Sequence, residues 1–148
     1  MIGTKTADGD TPVVQQVKLL VFSYCDGIGA IWVALASTEF DVTGLSFETD
    51  QLCVEVLKHR FPSLQHCGSI EGVSAQWLED CIKAHNPSVV LLAGGTPCKQ
   101  FSFLARNRSG LKGKDSKLFF AFLQSLKDLQ TLQASATYSF KLFFLWRM

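Results

Sequence analysis

The sequence lacks any run of about 18 apolar residues, so no segment has the length of a membrane-crossing helix. It also lacks a CxxC pair: the five cysteines, at 25, 53, 67, 81 and 98, are odd in number and scattered. That excludes a disulfide framework and a cysteine-built zinc site, and it fits a reducing intracellular compartment with no metal. An excess of one charge is missing too. With 14 Lys and Arg against 13 Asp and Glu the net charge is +1, so any footprint for nucleic acid has to be local. The first 20 residues are polar and include Asp8 and Asp10, which is unlike a secretory signal. No repeat or low-complexity tract occurs. What is present is an ordinary globular mix, 148 residues with 47% hydrophobic and 18% charged, enough for one core.

The pattern along the chain alternates between two periodicities. Residues 1–16 read as a loose polar leader containing Gly3, Gly9 and Pro12. Residues 18–23 form a short apolar run, read as a buried strand, and a glycine-rich turn follows at 25–29. Residues 30–37 have helical character, and 42–47 read as a second strand ending at Glu48. Asp50 can cap a helix to about residue 61, with Leu52, Val56 and Leu57 on one face and Pro62 as the stop. A weak strand at 64–67 precedes a helix at 74–85, and 89–93 is the clearest buried strand. Gly94, Gly95 and Pro97 then exclude regular structure, and a polar loop runs to about Asp115. An amphipathic helix over 117–132 closes the readable part; residues 133–148 remain an unassigned tail whose aromatics are an aggregation liability. Four strands alternating with helices predict an α/β fold with a mostly parallel sheet, flanked by helices on both faces.

In such sheets ligands bind beyond the carboxyl ends of the strands, and three features fall there. The first is the turn Asp26-Gly27-Ile28-Gly29, which lets backbone approach a ligand closely. A dinucleotide fingerprint wants a small residue at position 32, where this chain has Trp32. A bulky indole there is expected to block tight helix–strand packing, so the turn suits a nucleoside without a pyrophosphate, or is a plain tight turn. The second is Glu48, 21 residues after Gly27, a place from which a carboxylate accepts both hydroxyls of a ribose. The third is Cys98, on a loop behind Pro97 with Lys99, Arg106 and Arg108 after it; nearby cations favour the thiolate. It reads as a nucleophile or as a structural thiol. The stretch from Lys99 to Lys117 holds six basic residues and one acid, a local +5 against −4 for the rest of the chain. A charge run is often only a solvated face, but its position suggests phosphate contacts.

These residues resemble the motifs of the cytosine-5 DNA methyltransferases. Phe22-Ser-Tyr-Cys-Asp-Gly-Ile-Gly29 is similar to the family's cofactor turn, and Phe47-Glu-Thr-Asp50 to its ribose-holding motif. Gly94-Gly-Thr-Pro-Cys-Lys-Gln-Phe-Ser102 resembles the Pro-Cys motif, and the run from Gly110 to Phe120 the fifth motif. The Gly-Gly-Thr-Pro-Cys run and the Leu-Phe-Phe ending look most similar to the eukaryotic de novo branch, which implies an intracellular location, the nucleus if the source is eukaryotic. The resemblance implies a Rossmann-like fold dependent on S-adenosyl-L-methionine, truncated here, with a partial catalytic domain over 17–132. It implies that Phe22, Asp26, Gly27, Ile28, Gly29, Ala30, Glu48, Thr49, Ser69, Ile70, Thr96 and Leu118 hold the cofactor. It makes Cys98 the thiol that adds to C6 of cytosine, and Lys99, Ser102, Arg106, Arg108, Lys112 and Lys114 the groups that meet DNA.

The chain departs from the family at several positions. Ser69 stands where an acid usually meets the adenine, Thr49 where a stacking residue is common, Lys99 where Asn or Gln follows the cysteine, and Ser116 in place of a glycine. No Glu-Asn-Val segment, later arginine motif or target-recognition domain is found in the 148 residues, so the resemblance implies no activity for this chain alone. Two other readings stand beside it: a non-catalytic partner of a homologous methyltransferase subunit, or an unrelated nucleotide-binding module.

Overall fold

The structure is a computed structural model, and it describes residues 16–95 and 116–147. β1 (Lys18–Tyr24) buries every residue after Lys18. A strand apolar on both faces must lie inside a sheet that is covered on both sides. Its alternating side chains feed two separate cores. Leu19 and Val21 point to one face, where Trp32 of α1 (Ala30–Ala36) and Leu57 of α2 (Gln51–Arg60) cover them. Leu20, Phe22 and Tyr24 point to the other, against α3 (Ala75–His85) and α4 (Ser116–Ala134) through Leu78, Ile82, Phe122 and Leu129.

The sheet has five strands in the order β3-β2-β1-β4-β5, every pair parallel. β2 spans Asp41–Phe47, β3 Gln65–His66, β4 Val89–Gly95 and β5 Lys141–Arg147. Local chemistry starts and ends the helices, at Asp50 as expected and also at Ser74 and Asn86. The Asp50 carboxylate accepts from Leu52 N and Cys53 N, Ser74 Oγ accepts from Trp77 N, and Asn86 ends α3 with a left-handed φ of 43°.

Five expectations need correction. Leu57 of α2 is buried as read, but Leu52 is 74% and Val56 37% exposed; half-buried Val54, and Phe61 just past the helix, accompany Leu57 instead. The two-residue β3 is shorter than the strand read at 64–67. β4 runs on through Gly94 and Gly95, because Gly94 pairs on both sides, with Tyr24 and Trp146, and Gly95 on one, with Arg147. The sheet has five strands, not four. The segment 141–147, read as an unassigned tail, is the fifth, held by Trp146, whose ring centroid lies 4.4 Å from that of Phe122. Its side chains Phe143, Phe144 and Leu145 stay 56–59% exposed on an edge strand.

The fifth correction concerns Trp32, whose indole is buried at 5% exposure and seats α1 on the sheet. Gly44 of β2 makes the room: a Cβ built there would lie 2.8 Å from Trp32 Cζ3. The bulk that was expected to push helix from strand is accommodated by a missing side chain on the neighbouring strand.

Candidate functional site

The chain leaves β1 toward β2 and β3, then crosses back over β1 to β4 and β5. The helices that follow β1 and β4, α1 and α4, therefore lie on opposite faces of the sheet, which opens a crevice where ligands bind in sheets of this order. Two clefts lie there. The first, of about 480 Å³, is lined by Cys25, Gly27, Phe47, Glu48, Thr49, Gly68, Ser69, Ile70, Glu71, Gly95 and Leu118. The second, of about 540 Å³, is lined by residues that include Ser23, Asp26, Ile28, Ala30, Gly94, Leu145 and Arg147. Cys25 and Gly95 belong to both, so the clefts meet at that waist. Another hollow of about 480 Å³, between α1 and the start of β2, is lined by Trp32, Phe40 and Phe61 and by no charged side chain.

Glu48 organises the first cleft. Its Oε2 accepts from Gly27 N at 2.8 Å, and its Oε1 from Thr49 N at 2.8 Å and Asp50 N at 2.9 Å. A carboxylate has about four acceptor positions. Three are filled by backbone, so one ribose hydroxyl can be accepted directly and a second only by displacing an amide. Gly27 has φ 56°, and a Cβ built on it would touch nothing within 4 Å, so its backbone faces open space. Ser69 Oγ accepts from Glu71 N at 3.2 Å and so caps the short 3-10 turn Ile70–Gly72 that forms the far wall.

In the second cleft the Asp26 carboxylate is already engaged: Trp32 Nε1 donates to Oδ2 at 2.7 Å and the Ser23 hydroxyl donates to Oδ1. Asp26 therefore ties the turn to α1. Burial raises its pKa above the ordinary carboxylate value, partly opposed by the hydroxyls of Ser23 and Ser46 and by the Trp32 indole. A raised acid binds its proton more tightly in the folded state, so Asp26 costs nothing below its unfolded value near ~3.9 and destabilises progressively above it. Relative to Asp26→Asn, the wild type is thus expected to gain stability as pH falls from 7 toward 4 in a series of urea melts. A difference that stays constant with pH would exclude this.

The structure sorts the candidate cofactor residues. Gly27, Glu48, Thr49, Ser69, Ile70 and Leu118 meet at the first cleft, and Asp26, Ile28 and Ala30 at the second. Gly29 lines neither and packs against Leu57. Phe22 is fully buried beside Trp77, with ring centroids 6.0 Å apart, because its place in β1 points it into the core rather than to the strand end. Thr96, Cys98, Lys99, Ser102, Arg106, Arg108, Lys112 and Lys114 lie outside the described residues, as do residues 1–15 of the leader. Residues that sequence reading passed over are Cys25, Phe47, Gly68, Glu71 and Gly95. The position of Cys25 directly after an apolar run was the available signal for it.

Cys25 has φ 56° and donates its N–H to Phe47 O at 2.8 Å. Burial, with the Glu48 and Asp26 carboxylates beside it, pushes its thiol up to about 11. It is a protonated lining group rather than a nucleophile. No helix among the described residues is long and apolar enough to cross a membrane, and none of them gather as a metal-binding group.

Comparison with known proteins bears on this arrangement. The profile of the C-5 cytosine-specific DNA methylase family matches residues 19–133. The orphan methyltransferase M.Rho11sI of Bacillus phage rho11s is 31% identical over 117 residues, covering 76% of this chain and 21% of its own. The orphan methyltransferase M.SPRI of Bacillus phage SPR gives 31% over 117 residues, covering 76% and 24%. The chain thus spans about a fifth to a quarter of these relatives. A prophage-encoded DNA modification methyltransferase (E. coli) shares the fold, with a TM-score of 0.55 at 22% identity over 76% of this chain and 29% of that one. Phage and prophage relatives lend no support to a nuclear location. With the cofactor-type crevice and the matched span together, the chain belongs to the C-5 cytosine-specific DNA methylase family.

Proposed function

We propose that this chain carries the cofactor-binding half and the reactive thiol of a DNA cytosine-5 methyltransferase that uses S-adenosyl-L-methionine. The observation that carries the reading is the bridge from Glu48 Oε2 to Gly27 N across the first cleft. It sets a carboxylate and a glycine backbone beside one ligand-sized hollow at the switch point of the sheet, which supports a ribose there. The residues fit the cofactor: Glu48 would accept a ribose hydroxyl, Gly27 would let the adenosine lie close to the chain, and Ile70 and Leu118 would flank it with apolar surface. Bound there, S-adenosyl-L-methionine would supply an electrophilic methyl group.

Cys98 would act on the base, three residues beyond the carboxyl end of β4. Cytosine C5 is a poor nucleophile. Addition of the thiolate to C6 would form an S–C6 bond and shift the C5–C6 electron pair onto C5, which could then attack a methyl carbon as that carbon's bond to its sulfur breaks. Loss of the C5 proton would restore the double bond and release the thiolate. The base must leave the duplex first, at a cost of a few kcal/mol that phosphate contacts from Lys99, Ser102, Arg106, Arg108, Lys112 and Lys114 would offset. DNA is accordingly the proposed substrate.

Calorimetry with S-adenosyl-L-methionine tests the cofactor reading. Glu48→Ala removes a charged hydrogen-bond acceptor worth ~1.5–3 kcal/mol, so binding is expected to weaken about ten- to a hundredfold. Equal binding by wild type and variant would refute the role given to Glu48.

A further inference from the structure

The geometry points to Arg147 as the residue that holds the carboxylate at the amino-acid end of the cofactor, in the second cleft. This rests on the cofactor reading above. Arg147 closes β5, where it pairs with Gly95 at the carboxyl edge of the sheet. It lines the second cleft, which joins the Glu48 cleft at Cys25 and Gly95. A ligand with its ribose at Glu48 and a length beyond one hollow can therefore reach Arg147 across that waist.

The waist is cleared by the absence of side chains. A Cβ on Gly95 would lie 3.2 Å from the carbonyl oxygen and 3.9 Å from the Cβ of Arg147. Gly95 thus leaves the floor open between Cys25 of the β1 turn and Arg147. The charge at this end is also unmatched. Among the described residues no carboxylate lies within ion-pair distance of Arg147, and Asp26, in the same cleft, spends its oxygens on Trp32 and Ser23. S-adenosyl-L-methionine carries one carboxylate, at the end opposite its adenosine, and a guanidinium matches that group with two parallel hydrogen bonds. The free cation and the free anion belong at the same end.

The test is calorimetry on the 148-residue chain with two probes, S-adenosylhomocysteine and methylthioadenosine, which keeps the adenosine but lacks the amino-acid end. Arg147→Gln is expected to weaken S-adenosylhomocysteine about ten- to a hundredfold and to leave methylthioadenosine unchanged, with Arg147→Lys between. Unchanged S-adenosylhomocysteine binding in Arg147→Gln would overturn the assignment, as would an equal loss for both probes. So would a loss confined to a DNA oligonucleotide, which would make the anion a phosphate. Glu48-dependent binding that ignores Arg147→Gln would remove this inference alone. If wild type bound neither probe, the cofactor reading would fall and take the inference with it.

Discussion

Treated with iodoacetamide near neutral pH, the chain is expected to be labelled at Cys98 before any of its other four cysteines. Burial pushes Cys25 and Cys81 up to about 11, and it raises Cys53 and Cys67 as well. Against an ordinary thiol near ~8.5, a value of about 11 lowers the thiolate fraction at neutral pH roughly three-hundredfold. The greater nucleophilicity of a more basic thiolate restores roughly a factor of ten to fifteen, which leaves an advantage of about twentyfold. Cys98 gains further from Lys99, Arg106 and Arg108 near it in sequence. Mass spectrometry of timed digests would show the order directly. Labelling of Cys25 or Cys81 as fast as Cys98 would end its assignment as the reactive thiol. The same 148 residues are expected to transfer no methyl group to DNA, since a thiol without an acid partner for the base supplies only part of the acceleration. Measurable transfer would show the Glu-Asn-Val segment to be dispensable.

The second large effect is on stability and separates two neighbouring glycines. Gly29 has φ 82°, and a Cβ on it would lie 2.5 Å from Leu57 Cδ2 and 3.0 Å from Phe61 Cε2. Leu57 is fully buried, so it cannot swing away. Gly29→Ala combines a left-handed backbone cost of ~1–2 kcal/mol with an overpacking cost of ~1–3 kcal/mol, about 2–5 kcal/mol in all. Gly27 shares the left-handed φ, at 56°, but has open space around it, so Gly27→Ala is expected to cost only the ~1–2 kcal/mol of the backbone. Urea unfolding of both variants measures the contrast. Equal losses would mean that the packing of Gly29 against α2 contributes nothing. A loss of this size is a large share of the ~5–15 kcal/mol that typically holds a domain together.

Much of the fold was written in local pattern. The continuous apolar run of β1 required a covered parallel sheet, and two residues marked the boundaries of α2, Asp50 by accepting from free amides and Pro62 by lacking an N–H to donate. What escaped was set by distant partners. Gly94 and Gly95 look like loop residues until Tyr24 on one side and Trp146 and Arg147 on the other pair with them. Leu52 looks buried until Leu57 fixes the rotation of α2.

For the site, the sequence by itself determined the ingredients: a glycine turn, an acid at the end of the next strand, and a thiol after Pro97. For the turn and the acid it did so because spacing along strands of known rise puts such groups at one edge of a parallel sheet. Only the tertiary structure decided how they are used. It filled three of the acceptor positions of Glu48 with backbone amides, turned Asp26 toward Trp32, and sent Phe22 into the core. It also brought Arg147 beside Gly95, 52 positions earlier in the chain. The physical reason is that hydrogen-bond direction and packing depend on which strand lies next to which, and strand order is a property of the whole sheet that no local run of residues encodes.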